Sequence, residues 1–335
     1  MTGSARLRWG VLGTAGINER VVPAIARSAH GEVVAIASRT PSRAEAAAEQ
    51  FGIGKPYGSY EELLADPDVD AVYIPLPNFL HHHWVLAAAA AGKHILCEKP
   101  MAITVADAQE MVAAAADAGV VLMEAFMYAH HPRYDQLHEL VRSREMGTVR
   151  GISGTFTFDA SDEPEATIFQ GNPGSGAIYD VGCYIVHAAR RLLGTEPLAV
   201  TAQASYSGAH GGADMMTSAL VEFPDDVGLL LQCGMWTADT DTLTVLGSRG
   251  RVDVPSAFFA APGVEGFLVQ LGDDVRLEQV PDVDHYISQA DDLAEAVLHG
   301  RPVRLAPADA VRNAAVVEAL VRSARTRSRV LVEDV

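Results

Sequence analysis

The stretch Leu7-Arg8-Trp9-Gly10-Val11-Leu12-Gly13-Thr14-Ala15-Gly16-Ile17-Asn18 decides the fold of the amino-terminal part of the chain. Its first half is an apolar run of strand length, and its second half is a glycine-rich turn that leads into a helix. The amino end of such a helix is a place where the pyrophosphate of a dinucleotide binds. In the pattern Gly-x-Gly-x-x-Gly, Ala15 replaces the second glycine and Asn18 the third, so the turn alone is a weak signal. We nevertheless take Gly13, Thr14, Ala15, Gly16 and Ile17 as candidate cofactor-binding residues.

Apolar runs alternate with alanine-rich segments through residues 1–125. The predicted strands are Leu7–Leu12, Val33–Ser38, Ala71–Ile74, His94–Cys97 and Val120–Met123. The predicted helices are Arg43–Phe51, Glu61–Ala65, Leu80–Ala91 and Val105–Ala118. Alternation of this kind predicts a doubly wound parallel sheet, so the fold class is α/β.

After Pro132 the pattern changes, and residues 126–335 predict an α+β domain with an open, mainly antiparallel sheet. The predicted strands are Val149–Phe158, Val200–Tyr206, Ser218–Phe223, Leu229–Met235 and Leu243–Val254. The predicted helices are Tyr134–Ser143, Ile178–Leu193, Tyr286–His299 and Ala308–Ala324, the last two of which can pack back on the first domain.

Composition excludes several classes of protein. A chain of 335 residues exceeds one usual core, which predicts two domains. A formal net charge of −18 argues against a nucleic acid or an anionic membrane as partner, since both bind basic surfaces. No apolar run reaches the length of a membrane span, and no secretory signal is evident, so we expect a cytoplasmic enzyme. Three widely spaced cysteines, Cys97, Cys183 and Cys233, predict buried thiols rather than disulfides.

The segment Glu98-Lys99-Pro100 closes the predicted strand His94–Cys97. Ligands of open α/β sheets bind at the carboxyl ends of strands, so Lys99 stands where it can donate a proton or orient a substrate hydroxyl. Lys-Pro after a strand is also ordinary loop chemistry. Lys99 is therefore a candidate catalytic residue whose support comes from the rest of the chain.

The end of the second strand favours one cofactor. An NAD-binding chain usually carries Asp or Glu here to hold the ribose 2′-hydroxyl, whereas this one has Ser38-Arg39-Thr40. A guanidinium and two hydroxyls suit a 2′-phosphate, so NADP(H) is preferred over NAD(H). The alternative is that Arg39 is an ordinary surface arginine.

Three adjacent histidines, His81, His82 and His83, suggest a metal site. Successive helical residues point about 100° apart and cannot converge on one ion. We predict no metal site.

Several motifs together resemble the glucose-fructose oxidoreductase/inositol dehydrogenase/MocA (GFO/IDH/MocA) family over nearly the whole chain. They are the opening glycine turn, Pro77-Asn78 with Leu80-His81, Ala91-Gly92-Lys93-His94 leading to Cys97-Glu98-Lys99-Pro100, Glu124-Ala125-Phe126-Met127-Tyr128 with His131-Pro132, and Gly176-Ala177-Ile178-Tyr179-Asp180-Val181-Gly182-Cys183-Tyr184. The tyrosine at 184 is similar to the branch with dimeric dihydrodiol dehydrogenases, D-xylose dehydrogenases and sugar ketoreductases.

The resemblance implies roles for individual residues. Lys99 becomes the catalytic lysine and Tyr184 a proton donor, and Asp180 either fixes a neighbouring substrate hydroxyl or holds Lys99 in place. The remaining cofactor contacts it implies are Pro75, Leu76, Asn78, His81 and Glu98, and the substrate contacts are Lys99, Tyr128, Asp180 and Tyr184. In an α-helix Asp180 and Tyr184, four residues apart, share a face. His187 on nearly the same face is more simply a buried structural residue.

The resemblance also implies an oxidoreductase acting on a small carbohydrate or polyol, and a homodimer or homotetramer formed through the open sheet of the second domain. Ala129 and Gln170 stand where many relatives have arginine, so the substrate of those relatives cannot be assigned to this chain. A nucleotide-sugar 3-ketoreductase, an aldose 1-dehydrogenase and a vicinal-diol dehydrogenase stay open. A non-catalytic NADP-binding regulator is a further alternative, against which the retention of Lys99, Asp180 and Tyr184 argues.

Overall fold

The computed structural model describes residues 6–163, 166, 169, 171–259 and 266–335, so Gln170 lies outside the described residues. By the density of their contacts these residues divide into two compact units. The first, which we call the nucleotide unit, comprises residues 1–102, 106–130 and 284–311, and the second comprises 103–105, 131–283 and 312–335. Each unit is described by itself below.

The nucleotide unit is built on a parallel sheet. Its strands are β1 (Leu7–Leu12), β2 (Gly31–Ala37), β3 (Lys55–Tyr57), β4 (Ala71–Ile74), β5 (His94–Cys97) and β6 (Leu122–Glu124). Their order is β3-β2-β1-β4-β5-β6 and each neighbouring pair is parallel. This order is that of a Rossmann sheet, which confirms the predicted fold class.

Helices cover this sheet. They are α1 (Asn18–Arg27), α2 (Pro41–Phe51), α3 (Tyr60–Leu64), α4 (Asn78–Ala90) and α5 (Val105–Ala118), whose first residue belongs to the second unit, together with α8 (His285–His299), which returns from the C-terminal part of the chain. The strands are buried on both faces, as Trp9, Val72 and Leu96 show, and this explains their nearly continuous apolar sequence. A 3₁₀ turn at Met127–His130 follows β6.

The second unit contains a mixed, mainly antiparallel sheet. Its strands are β7 (Val149–Asp159), β8 (Ala199–Ser207), β9 (Ala213–Glu222), β10 (Gly228–Gly234), β11 (Trp236–Gly247), β12 (Gly250–Pro255), β13 (Phe267–Leu271), β14 (Asp274–Glu278) and β15 (Val330–Leu331). Their order is β14-β13-β12-β11-β7-β10-β9-β8-β15, and β7 and β10 form the parallel pair. The segment Leu243–Val254, which the sequence predicts as a single strand, is a hairpin of β11 and β12.

Helix α7 (Cys183–Leu193) packs on one face of this sheet, and the π-helical turn Ile178–Gly182 precedes it. A glycine in β7 permits the close packing, since a Cβ on Gly154 would lie 2.5 Å from Cγ2 of Ile185. The second unit also contains α6 (Pro132–Ser143) and residues 312–326 of α9 (Pro307–Thr326). The inner sheet face is apolar, with Leu229, Val245 and others fully buried.

None of the described helices combines the length and the apolarity that crossing a bilayer requires.

Candidate active site

The turn between β1 and α1 is shaped by Gly13 and Asn18. Gly13 has φ +119°, a conformation that favours glycine, and a Cβ there would lie 2.9 Å from the Leu76 side chain. The Asn18 side-chain amide donates to the Gly13 carbonyl at 2.9 Å and closes the turn. A Cβ added at Gly16 would have no atom within 4 Å, so the outer side of the turn is open. An open, positively polarised helix start fits the pyrophosphate of a dinucleotide.

Beyond β2, the Ser38 hydroxyl accepts the Thr40 amide at 3.3 Å, while Arg39 is exposed. Burial raises the pKa of the Tyr60 hydroxyl, and the positive charges of Arg39 and Arg43 oppose that rise. That hydroxyl lies beside the Gly13 turn, 3.8 Å from where a Cβ would stand. Two arginines therefore act electrostatically on a hydroxyl that lies beside the turn.

A buried histidine joins two backbone segments at the ends of β4 and β5. His81 is fully buried, with Nε2 at 2.7 Å from the Leu76 carbonyl and Nδ1 at 3.0 Å from the Pro100 carbonyl. Its pKa is lowered to about 4, chiefly by burial and to a smaller extent by the charge of Lys99, while the hydrogen bonds with the two carbonyls oppose the shift, so the ring is neutral at physiological pH. A neutral imidazole has one N–H, so one of the two carbonyls accepts a hydrogen bond at a time.

The carboxylate of Glu98 is held from two sides. Oε1 accepts the hydroxyl of the buried Tyr73 at 2.6 Å, and Oε2 accepts the Lys99 amide at 3.2 Å. Nearby, Glu124 accepts the Met101 amide at 2.7 Å. Lys99 is partly exposed and follows β5 at the carboxyl edge of the sheet, as predicted.

The structure gathers the predicted cofactor residues at one edge of one sheet. β1, β2, β4 and β5 pair in register at their carboxyl ends. The predicted residues that follow these strands are Gly13–Ile17, Ser38–Thr40, Pro75, Leu76, Asn78, His81, Glu98 and Lys99. Tyr128, predicted to bind substrate, is buried in the 3₁₀ turn of the same unit.

The three adjacent histidines point to different partners. His81 faces the two carbonyls described above, His82 Nε2 lies 2.9 Å from Glu110, and the His83 ring stands edge-on to Trp84 with centroids 4.8 Å apart. Within the part of the chain that the structure describes, no group of His, Cys, Asp or Glu side chains is arranged to hold a metal ion.

In the second unit, Asp180 and Tyr184 lie on the segment that begins as a π turn. The Cys183 amide donates to the Ile178 carbonyl, five residues back, so the spacing from 180 to 184 is not that of a regular α-helix. Asp180 is partly exposed and Tyr184 is buried. π turns of this kind are frequent at functional sites, and no local sequence pattern predicts this one.

A buried carboxylate holds the start of this segment. Asp214 Oδ2 accepts the Ile178 amide at 3.0 Å and the Thr217 hydroxyl at 2.9 Å. Burial raises the pKa of Asp214 to about 6, and these hydrogen bonds oppose the shift. Gly176, at φ +109°, passes so close that a Cβ would collide with this carboxylate. Asp214 thereby positions the turn that carries Asp180.

Aromatic rings surround Tyr184. Its ring centroid lies 5.4 Å from that of Phe156, 5.4 Å from that of Phe258 and 6.1 Å from that of Phe259. The carboxylate of Asp241 accepts the amides of Phe258 at 3.0 Å and Phe259 at 2.8 Å, which fixes their segment. We call Phe156, Tyr184, Phe258 and Phe259 the aromatic cluster.

Sequence reasoning missed several of these groups. Arg43 lies in the first turn of α2 and Arg39 precedes that helix, so no helical spacing in the sequence marks them as a pair. Phe156, Phe258 and Asp214 are separated along the chain by many residues, and only the fold brings them to the Tyr184 segment. His187 is fully buried, which agrees with the structural role expected for it.

Fold and residues together define a class: a nicotinamide-dinucleotide oxidoreductase with a Rossmann unit and a second, sheet-based domain. A model described as "Oxidoreductase family, NAD-binding Rossmann fold" matches residues 7–126, and one described as "GFO/IDH/MocA C-terminal domain" matches residues 134–253. The chain belongs to the GFO/IDH/MocA family of oxidoreductases. This confirms the resemblance found in the sequence.

Three of the similar proteins are named for different activities. D-xylose 1-dehydrogenase (NADP(+)) 2 of Haloferax volcanii is 38% identical over 326 residues, which are 97% of this chain and 99% of that protein. Trans-1,2-dihydrobenzene-1,2-diol dehydrogenase of Mus musculus is 36% identical, with 74% of each chain covered. The crystal structure of a 3-ketoreductase from Actinomadura kijaniata with NADP and TDP-benzene is similar with a TM-score of 0.90 and 32% identity, covering 95% of this chain and 98% of that one.

Proposed function

We propose that this chain is an NADP(H)-dependent oxidoreductase that interconverts a secondary alcohol and a carbonyl on a sugar or sugar-like polyol. The observation that carries the proposal is the arrangement at the carboxyl edge of the parallel sheet. Glu98, hydrogen-bonded by Tyr73, and Lys99 follow β5 there, and the Gly13 turn follows β1. A cofactor bound along this edge has a phosphate-binding turn at one end and a lysine at the other.

The preference for NADP(H) rests on Arg39. The family description names NAD-binding, whereas the Haloferax relative is named for NADP(+), so membership does not choose between them. Arg39, with Arg43 four residues later, supplies the positive charge that a 2′-phosphate requires, and no carboxylate stands at the end of β2.

When bound, the cofactor supplies or accepts the hydride. In the direction of reduction, Lys99 stabilises the negative charge that develops on the substrate oxygen, and Tyr184 donates a proton to it. Asp180 accepts a hydrogen bond from a neighbouring hydroxyl and so orients the reacting carbon. Glu98, fixed by Tyr73, borders the nicotinamide and ribose. A correctly placed acid contributes about 10²–10⁴-fold in rate.

The substrate class is proposed as an aldose or a vicinal diol. The aromatic cluster supports it, because Phe259 keeps 37% of its surface exposed beside the buried Tyr184 ring, and apolar sugar faces pack on aromatic rings. Tyr128 is proposed as a further substrate contact.

A nucleotide-sugar 3-ketoreductase is the second candidate. It is favoured by the same exposed aromatic ring, since a nucleotide base can also stack there, and by the similarity to the Actinomadura enzyme. A non-catalytic NADP-binding regulator is the third, and the presence of Lys99, Asp180 and Tyr184 in one chain argues against it.

One assay separates these candidates. Reduction of NADP⁺ and NAD⁺ is measured with xylose, glucose and vicinal diols, and oxidation of NADPH is measured with 3-keto sugar nucleotides. We expect turnover of aldoses or diols with NADP⁺. Turnover of 3-keto sugar nucleotides alone would favour the reductase, and a protein that binds NADP(H) and turns over no member of the panel would be a regulator.

We further propose a homodimer or homotetramer formed through the outer face of the second sheet. Leu220 and Leu230 pair across β9 and β10 and are 41% and 62% exposed, and the same sheet carries further exposed leucines at Leu246 on β11 and Leu268 on β13. Contiguous exposed apolar side chains usually mark an interface. Light scattering should show an oligomer that Leu230→Asp converts to a monomer and that Leu198→Asp, at another exposed leucine, leaves intact. A wild-type monomer at micromolar concentration would contradict this.

A further inference from the structure

The helical segment that carries Asp180 is capped from another part of the fold. The first amides of a helix have no partner within it, and the residue before this segment, Ala177, has only a methyl side chain. Asp214, the second residue of β9, supplies the acceptor, since its Oδ2 accepts the Ile178 amide at 3.0 Å. A carboxylate of the sheet therefore holds the first turn of the segment.

The same carboxylate packs against the backbone that leads into the turn. Gly176 has φ +109°, and a Cβ there would collide with Oδ1 of Asp214. The Gly176 carbonyl in turn accepts the Asp180 amide at 3.0 Å. Asp214 thus contacts both Gly176 and Ile178, the residues on either side of Ala177, and Gly176 binds the backbone of Asp180 directly.

The carboxylate and the turn are both closely fitted. Thr217 is fully buried, and its hydroxyl donates to Oδ2 of Asp214 at 2.9 Å, which fixes the orientation of the carboxylate. At the far end of the turn, a Cβ on Gly182 would lie 3.1 Å from Sγ of Cys233 on β10. A turn that is held at both ends leaves Asp180 little freedom of its own.

The charge of Asp214 changes near pH 6. Burial raises its pKa to about 6, and its hydrogen bonds and the charge of Arg325 on α9 oppose the shift. Three further titratable groups interact with it electrostatically, namely Tyr179 in the turn, Tyr206 on β8 and Cys233 on β10. Burial raises the pKa of all three, so they are neutral near pH 6 while Arg325 is charged.

The ionised and the neutral form of this side chain differ as caps. Charge-assisted hydrogen bonds are roughly twice as strong as neutral ones, and negative charge is favourable at the amino end of a helix. Ionisation nevertheless lowers the stability of the protein as the pH rises from about 4 through about 6. A firmer hold on one turn, with lower overall stability, is typical of a group that serves a site.

We propose that Asp214 is a positioning residue for the reaction, whose ionised carboxylate sets the place of Asp180 and thereby the orientation of the substrate. The inference rests on the proposed function, since it assumes that Asp180 accepts a substrate hydroxyl. Asp214 acts through the turn and not on the cofactor, which is proposed to bind along the edge of the parallel sheet. Loss of its charge therefore lowers turnover and leaves NADPH binding unchanged.

The first test is kinetics across pH at saturating cofactor, with variants that keep the size of the side chain. With the substrate found in the panel assay, wild-type kcat/KM should fall about 10-fold as the pH is lowered through about 6. Asp214→Asn should have the lower value at every pH, should lack this step and should bind NADPH as wild type does. Thr217→Val removes a hydrogen bond to the ionised form, so its step should move to higher pH by about 0.5–1 unit.

A second measurement does not depend on activity. Hydrogen–deuterium exchange at about pH 8, followed by mass spectrometry, reports how firmly the amides of residues 176–182 are held. In Asp214→Asn these amides should exchange about 5- to 10-fold faster than in wild type, although the variant melts at or above the wild-type temperature. Faster exchange in a protein that is no less stable separates positioning from a general structural role.

Thr244→Val and Asp253→Asn are the matched controls. The Thr244 hydroxyl donates to Oδ1 of Asp253 at 2.9 Å between β11 and β12, two strands of the same sheet other than β9 and β10. The pair repeats the chemistry of Thr217 and Asp214 without the contact to the turn. Both variants should keep wild-type kcat/KM at every pH and wild-type exchange at residues 176–182.

Any of three results would overturn the inference: wild-type kcat/KM in Asp214→Asn above about pH 7, a pH step that persists in Asp214→Asn or stays in place in Thr217→Val, or unchanged exchange. A loss of more than about 5 °C in the melting temperature of Asp214→Asn, with weaker NADPH binding, would show a structural role alone. Wild-type protein that turns over no member of the panel would contradict the proposed function itself, while exchange would still test the hold of Asp214 on the turn. The two failures are therefore distinguishable.

Discussion

The edge of the parallel sheet and the Tyr184 segment are held in place by different means. At the sheet edge, side chains hold other polar groups directly: His81 lies between the Leu76 and Pro100 carbonyls and donates to one of them at a time, and Tyr73 donates to Glu98. Around Tyr184, aromatic rings pack against one another. The backbone segments that carry these rings are held by Asp214 and Asp241, whose carboxylates accept hydrogen bonds from backbone amides.

This difference suggests that the sheet edge supports the reaction itself and that the aromatic cluster selects the substrate. At the sheet edge, short hydrogen bonds hold side chains in defined positions beside Lys99. A lysine at this place would serve hydride transfer with any substrate of this type. Ring packing fixes the shape of a surface and tolerates exchange of one apolar side chain for another. We therefore expect changes at the sheet edge to affect the rate or the cofactor and changes in the aromatic cluster to affect the choice of substrate. The following predictions test that division.

The largest effect is expected at Lys99. Lys99→Met removes the ammonium group that stabilises charge on the substrate oxygen, so turnover should fall about 10³-fold or more while the NADPH dissociation constant changes less than about threefold. Steady-state kinetics and calorimetry measure the two quantities. Lys55→Met, at a partly exposed lysine of β3, serves as control and should keep full turnover. Wild-type turnover in Lys99→Met would show that Lys99 does not take part in catalysis.

At Tyr184, a pure packing role and a proton-donor role predict different results. Tyr184→Phe keeps the ring and its contacts with Phe156 and Phe258, so the free energy of unfolding should change by less than about 1 kcal/mol. Turnover should fall about 10²-fold because the proton donor is lost. Tyr179→Phe is the control, since that hydroxyl donates to the Ile103 carbonyl at 3.4 Å and has no role in the proposed reaction. A drop in stability with turnover intact would show that Tyr184 is a packing residue alone.

Arg39 should decide the cofactor. Loss of a charge-assisted hydrogen bond costs about 1.5–3 kcal/mol, so Arg39→Ala should lower kcat/KM for NADPH about 10- to 100-fold and leave that for NADH unchanged. Arg142→Ala, at an exposed arginine of α6, should change neither. Equal losses with both cofactors would place Arg39 away from the 2′-phosphate.

The smallest effect concerns stability and pH in the second unit. Because the pKa of Asp214 is raised to about 6 in the folded protein, its contribution to stability is present at low pH and is lost as the pH rises from about 4 through about 6. Asp214→Asn removes this dependence, so at about pH 8 the variant should be more stable than wild type, by at most about 3 kcal/mol. Denaturant unfolding of both proteins across pH measures this, and parallel curves would contradict it.

The sequence predicted the parallel sheet and its edge well because their signals are local. Strands β1, β4 and β5 were predicted with their exact ends, since each is a continuous apolar run closed by a glycine, proline or lysine turn. The three-residue strand β3 was missed because Lys55-Pro56-Tyr57 has no apolar pattern.

The second unit was predicted less completely, for a physical reason. Its sheet and the Ile178–Leu193 helical segment follow from periodicity, but the π turn at its start depends on tertiary contacts such as that of Asp214 with the Ile178 amide. The aromatic cluster joins residues more than a hundred positions apart, between Phe156 and Phe258. No local pattern marks such a pair.

The central claim, hydride transfer from NADPH to a sugar-like carbonyl with the help of Lys99, can be tested directly with deuterium. NADPH deuterated at nicotinamide C4 is incubated with wild type or Lys99→Met and a mixture of 3-keto sugar nucleotides, aldonolactones and vicinal hydroxyketones, and the products are analysed by mass spectrometry. We predict that wild type forms an alcohol carrying the deuterium and that Lys99→Met, although it binds NADPH, does not. Absence of any deuterated product with wild-type protein that binds NADPH, or an undiminished yield with Lys99→Met, would contradict the claim.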